Sequence, residues 1–165
     1  IDFAVCLKCS NLVFGCPNNR NMHSDANIQT AYDFFYEIAS YANKKGTNIA
    51  LEPNPSIYNT NFINTTPQAF EFAKKVEFLK VNIDCGTIIA NGEDINIIAD
   101  NISLINHIHI SEPHLAQIQK RSLHKDLMKI LKENAYKGYV SVEMKNFNDS
   151  DIIKKTAIYI REIFL

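Results

Sequence analysis

No stretch of this chain stays apolar for the roughly 18 residues that a membrane-spanning helix needs. Charge of one sign is also missing: 17 basic and 18 acidic side chains leave a formal net charge of −1. Such a balance provides neither a basic stripe for nucleic acid nor a polybasic face for anionic lipid, and neither is expected as a partner. The opening Ile1-Asp2-Phe3 has no basic n-region or cleavage site, which makes a cytoplasmic location the expectation. There is no internal repeat, low-complexity tract or linker. Cysteines are few, and Cys6 and Cys9 form a lone C-x-x-C followed by Cys16 and His23, a spacing that fits no common paired zinc pattern. These three and Cys85 are expected to be reduced, partly buried thiols.

What the sequence does contain is alternation. With 46% hydrophobic and 21% charged residues it has the composition of an ordinary globular chain. Strand-like runs cover residues 11–15, 48–52, 79–84, 106–111 and 139–143, and amphipathic stretches lie between them. A helix over 25–45 carries Ile28, Ala31, Tyr32, Phe35, Ile38, Ala39 and Ala42 at three-to-four spacing, and Gly46 stops it. Thr66 as N-cap and Pro67 open a second helix. Others are expected around 94–102, over 122–134 and from 150 onward.

Strands separated by helices imply parallel βαβ units with right-handed crossovers. Residue parity then chooses between an open sheet and a barrel. One strand face collects Ile49, Leu51, Val81, Ile83, Ile108, Ile110, Val140 and Val142; the other collects Ala50, Glu52, Asn82, Asp84, His107, His109, Ser141 and Glu143. A doubly wound sheet is aliphatic on both faces, whereas a barrel with outer helices can keep a polar mouth. The expected fold is therefore α/β, a partial (β/α)₈ TIM barrel. An entire barrel has eight strands, typically in about 250 residues. Residues 1–165 thus read as a single domain, the C-terminal portion of a barrel with N-terminal βα units missing. A homodimer covering the open edges is one expected resolution.

Barrel enzymes do their chemistry at the C-terminal ends of strands. The last inward residues of the second to fifth strands are Glu52, Asp84, His109 and Glu143. Like charges about 4 Å apart repel by about 4 kcal/mol at an effective dielectric near 20, so three clustered carboxylates call for a cation. Three oxygen donors and one nitrogen suit one divalent metal ion: Mn²⁺, Mg²⁺, Co²⁺ or, less comfortably, Zn²⁺.

Five stretches carry a family resemblance: Leu12-Val-Phe-Gly-Cys-Pro-Asn-Asn-Arg20, Ile49-Ala-Leu-Glu-Pro53, Val81-Asn-Ile-Asp84, His107-Ile-His-Ile-Ser-Glu-Pro113 and Gly138-Tyr-Val-Ser-Val-Glu143. In this order and spacing the chain resembles strands four to eight of the xylose isomerase-like barrel of sugar (or sugar phosphate) isomerases and epimerases. The resemblance implies that Glu52, Asp84, His109 and Glu143 are the metal ligands and that Glu52 and Glu143 double as catalytic acid/base groups. Thr87 stands where many relatives have a substrate-contacting histidine.

The expected chemistry is isomerisation or epimerisation of a small sugar by proton transfer through a metal-stabilised enediolate. Arg20, His107, Glu112 and His114 are the candidate substrate-binding residues, with His107 one layer deeper than His109. A polyol dehydratase would use the same four ligands, and a catalytically inactive truncated barrel would bind metal or a partner chain without turnover. A relative of abasic-site endonucleases would need more histidines than the 5 present.

Overall fold

The structure, a computed structural model, describes residues 1–18 and 20–165. Asn19, in the turn-rich segment after the first strand, lies outside the described residues. The elements are α1 (Asp2–Cys6), β1 (Asn11–Phe14), α2 (Ile28–Lys45), β2 (Asn48–Leu51), α3 (Thr66–Ala73), β3 (Lys80–Asp84), α4 (Cys85–Asn91), α5 (Ile97–Asp100), β4 (Ile105–Ser111), α6 (Ser122–Glu133), β5 (Tyr139–Glu143) and α7 (Ser150–Phe164).

All neighbouring strands are parallel, and the sheet order β1-β2-β3-β4-β5 follows the sequence without reversal. A doubly wound sheet reverses direction at a switch point. The unreversed order makes this a half-barrel, a partial TIM barrel. Strand parity behaves as its sequence implies. Leu51, Val81, Ile83, Ile108 and Ile110, all 0% exposed, pack beneath the helices with Phe35, Phe70, Ile88 and Leu127. Each such side chain contributes about 1.5–3 kcal/mol on burial.

Local capping corrects several expected boundaries. Helix α2 begins at Ile28 rather than residue 25 because the Asn27 side chain accepts the Gln29 N–H. Gly46 closes it in the left-handed region at φ 82°, which a β-carbon would disfavour. The N-cap of α3 is Thr65 rather than Thr66, in a reciprocal capping box with Gln68. The helix expected over 94–102 is only the short α5. In compensation, Asp84 caps a helix that sequence reading misses, α4, directly off the end of β3. The single turn α1 was likewise not expected. Cys6, Cys9 and Cys16 are exposed free thiols and only Cys85 is buried, which corrects the expectation of partial burial for all four.

The outer edges of β1 and β5 have no strand partner among the described residues. Phe14 on one edge and Tyr139 on the other are 36% and 70% exposed. A cavity of about 900 Å³ lies beside β5, against α6 and α7, lined in part by Leu131, Tyr139, Val142, Ile160 and Phe164. No helix among the described residues is long and apolar enough to cross a membrane.

Candidate metal centre

Parallel register brings four side chains to one mouth. Asp84 sits opposite His109, and Glu143 opposite Ser111. Glu52 follows the last residue of β2, and its own N–H still bonds to the Phe14 carbonyl at 3.1 Å. One donor atom from each of Glu52, Asp84, His109 and Glu143 lies within 4.8 Å of the other three, so this group could hold a metal ion.

Asp84 and Glu52 are each aimed by their own neighbours. Asp84 Oδ1 accepts the Thr87 N–H at 2.6 Å, and Oδ2 accepts the Ser111 hydroxyl. Ser111 Oγ in turn accepts the Gly86 N–H at 2.8 Å. Glu52 lies tight against Gly15, where any β-carbon would come 2.6 Å from Oε1. The other Glu52 oxygen accepts an N–H of Asn82 at 2.5 Å. His109 Nδ1 lies 3.0 Å from Glu52 Oε2 and 3.1 Å from Glu143 Oε2.

The charges fit an ion. Burial, then the nearby Glu52 charge, push the Asp84 pKa up to about 6. Burial alone would lower His109, but its hydrogen bonds with Glu143 and Glu52 prevail and push it up to about 10. The His109 hydrogen bond holds Glu143 below the usual carboxylate range. His109 Nδ1 thus faces one oxygen of each glutamate, and a divalent cation suits that position better than a proton does. Three oxygens and a nitrogen on strand ends, with Glu52 and Asp84 already held by hydrogen bonds from their neighbours, suit such an ion.

The other sequence candidates divide. His114 borders the mouth, a cavity of about 310 Å³, and its φ of 59° lets its N–H reach the Tyr58 hydroxyl at 2.7 Å. Glu112 also borders it, but its carboxylate is committed: Arg121 Nε donates to one oxygen at 2.8 Å and Arg121 Nη2 to the other. His107 is a layer deeper. Its Nδ1 accepts from Asn11 Nδ2 at 3.3 Å, which leaves Nε2 to donate to Ser141 Oγ at 2.7 Å. Arg20 is 3% exposed and turned inward, donating to the carbonyls of Phe14 at 3.1 Å and Glu52 at 2.8 Å. The geometry therefore gives Arg20 the work of bracing the Glu52 main chain. Arg20→Met is expected to lower unfolding free energy in urea by about 2–3 kcal/mol, because buried carbonyls lose a charged donor.

Sequence reading missed the contacts of Asn82, Ser111 and Tyr58 around this site, and of Thr87 with Asp84. Parity already placed Asn82 on the inner face, and it places Ser111 there as well, two residues after His109 on β4. The Thr87 contact depends on α4, and that of Tyr58 on the segment after β2.

A family model described as "Xylose isomerase-like TIM barrel" matches residues 1–163. No curated protein matches the sequence. Among solved structures, the apo 3-keto-D-glucoside 4-epimerase of E. coli is similar at 20% identity and TM-score 0.73, over 86% of this chain and 57% of that one. The D-psicose 3-epimerase of Clostridium cellulolyticum H10, solved with D-tagatose, is similar at 15% identity and TM-score 0.73, over 98% and 66%. The IolI protein with a bound zinc atom is similar at 18% identity and TM-score 0.73, over 99% and 67%. The likeness is one of fold, and the chain spans about two thirds of their length or less.

Proposed function

Since the chain belongs to the xylose isomerase-like TIM barrel family, we propose that Glu52, Asp84, His109 and Glu143 hold one divalent metal ion, Mn²⁺, Mg²⁺, Co²⁺ or Zn²⁺, for the isomerisation or epimerisation of a small sugar or sugar phosphate. The observation that carries this reading is the convergence of four donors within 4.8 Å at the strand ends. Bound there, the ion supplies a Lewis acid for a carbonyl and its adjacent hydroxyl.

This chain's own residues supply the proton transfer. Glu52 and Glu143 approach His109 Nδ1 with one oxygen each, so both carboxylates border the same small volume. One takes the proton from the carbon beside the carbonyl and keeps it, and the other, itself carrying a proton at that point, delivers that different proton to the substrate. Asp84, held by Thr87 and Ser111, stays a fixed anion. Tyr58, His114 and Leu115 form a wall of the mouth and offer polar and apolar contacts to a small polyhydroxylated ligand. A homodimer covering the open edges belongs to the same proposal, and a native mass of two chains is the result expected from it.

The test is a panel of aldoses and ketoses, free and phosphorylated, incubated with Mn²⁺ or Co²⁺ and followed by chromatography. Conversion of one member into its isomer or epimer is expected, and Glu143→Gln should slow it at least about 100-fold. Unchanged turnover in Glu143→Gln would remove that residue from the reaction.

A further inference from the structure

Asn82 lies on β3, two residues before Asp84, between Val81 and Ile83, and is 0% exposed. Asparagine is disfavoured in strands, and this one lies on an interior strand of the sheet. The side chain is also incompletely satisfied. Its Oδ1 is buried with no hydrogen-bond partner among the described residues. A leucine or valine there would remove that cost, so stability of the sheet does not account for the residue.

Its Nδ2 points at the site. It donates to Glu52 Oε2 at 2.5 Å and lies 3.3 Å from His109 Nδ1. Gly15 closes on the opposite oxygen, Oε1. Glu52 is thereby gripped from two sides, with its side chain 11% exposed. Glu143 has no such grip among the described residues. Its side chain is 41% exposed, and its carboxylate meets His109 at 3.1 Å. Asn82 thus makes two chemically identical ligands unequal.

We propose that Asn82 is a positioning residue for the metal centre, acting through Glu52 and not through Glu143: its buried amide holds the Glu52 carboxylate in its ligating orientation. The inference rests on the metal reading above and adds a residue to it. Strands hold backbone positions to well under the length of a glutamate side chain, whose three rotatable bonds can still carry the carboxylate away from the ion. Fixing one oxygen from below removes that freedom before the ion arrives.

The experiment is a pair of double-mutant cycles on Mn²⁺ affinity, read by electron paramagnetic resonance of free Mn²⁺ in the intact protein. Asn82→Leu is expected to weaken Mn²⁺ binding about 10–100-fold, the usual cost of losing a ligand's hydrogen-bond partner. In a Glu143→Gln background the same loss should recur in full. In a Glu52→Gln background it should shrink to less than about threefold, because the group being positioned has changed. A residue with a merely structural role would alter the melting temperature and leave the cycles additive. Affinity within about threefold of wild type, or equal losses in both backgrounds, overturns the proposal. If wild type itself retains no Mn²⁺, the metal reading fails; if wild type binds and Asn82→Leu binds equally, only the role of Asn82 fails. Should Asn82→Leu not fold, Asn82→Ser, which leaves room for a bridging water, takes its place in both cycles.

Discussion

Asp84→Asn is expected to weaken Mn²⁺ binding by at least about a thousandfold while making the metal-free chain more stable. The two effects separate because Asp84 does two jobs. Its Oδ1 caps α4 by accepting the Thr87 N–H, and asparagine caps about as well as aspartate. The negative charge, by contrast, is held at a cost, since burial and the Glu52 charge raise the pKa to about 6. A folded-state pKa above the unfolded value means that the fold favours the protonated form. The associated stability is full below the unfolded pKa of 3.8 and is lost as pH rises through about 6. At pH 7.5 the ionised carboxylate therefore costs on the order of 2–3 kcal/mol without metal, and asparagine removes it. Urea unfolding in the presence of a chelator, with a parallel Mn²⁺ titration, measures both. Binding within tenfold of wild type would show that Asp84 is no ligand. A less stable metal-free variant would show that its charge is not the burden.

Metal uptake should also expel protons, with an affinity that climbs steeply with pH. His109 in the metal-free chain is held protonated up to about pH 10. Its stabilising contribution is full below the unfolded pKa of 6.5 and lost as pH rises through about 10. A metal ligand must be the neutral imidazole, so binding near neutrality competes with that proton. About one proton per ion should be released between pH 7 and 9, giving roughly a tenfold gain in affinity per pH unit. Below about pH 6 Asp84 is protonated as well, and the dependence should approach a hundredfold per unit. Titration calorimetry in buffers of differing ionisation enthalpy counts these protons directly. The metal-induced rise in melting temperature should be larger at pH 8 than at pH 6, because fewer protons compete with the ion and its affinity is higher. A pH-independent affinity would mean that His109 does not bind the ion through a nitrogen that carries a proton in its absence.

Much of this was legible in one dimension, and the reason is periodicity. Alternation along a strand is rigid: once Leu51, Val81 and Ile108 must meet helices, Glu52, Asn82 and His109 must face the other way. That rule needs no tertiary knowledge, and it placed the four candidate ligands on one face. Helix ends were less legible, because a cap is a competition among neighbours. Asn27 outcompeted Asp25, and Thr65 outcompeted Thr66, through side-chain hydrogen bonds whose partners lie two or three residues on. Asp84 hid helix α4 in the same way, since a residue read as a strand end was also the start of a helix.

Loop side chains were the least legible. Arg20 and Glu112 both read as polar groups at the mouth, yet Arg20 turns inward onto the Phe14 and Glu52 carbonyls and Glu112 is taken by Arg121. A charged side chain is long enough to choose between solvent, a ligand and a buried partner, and that choice depends on which loops close around it. By itself, then, the sequence determined the alternating βα chain, the outward aliphatic face and the inward set of Glu52, Asp84, His109 and Glu143, because these follow from the geometry of a strand. Tertiary structure alone decided the grip of Asn82 on Glu52 and the fates of Arg20 and Glu112, because hydrogen bonds between residues distant in sequence exist only once the strands have been brought side by side.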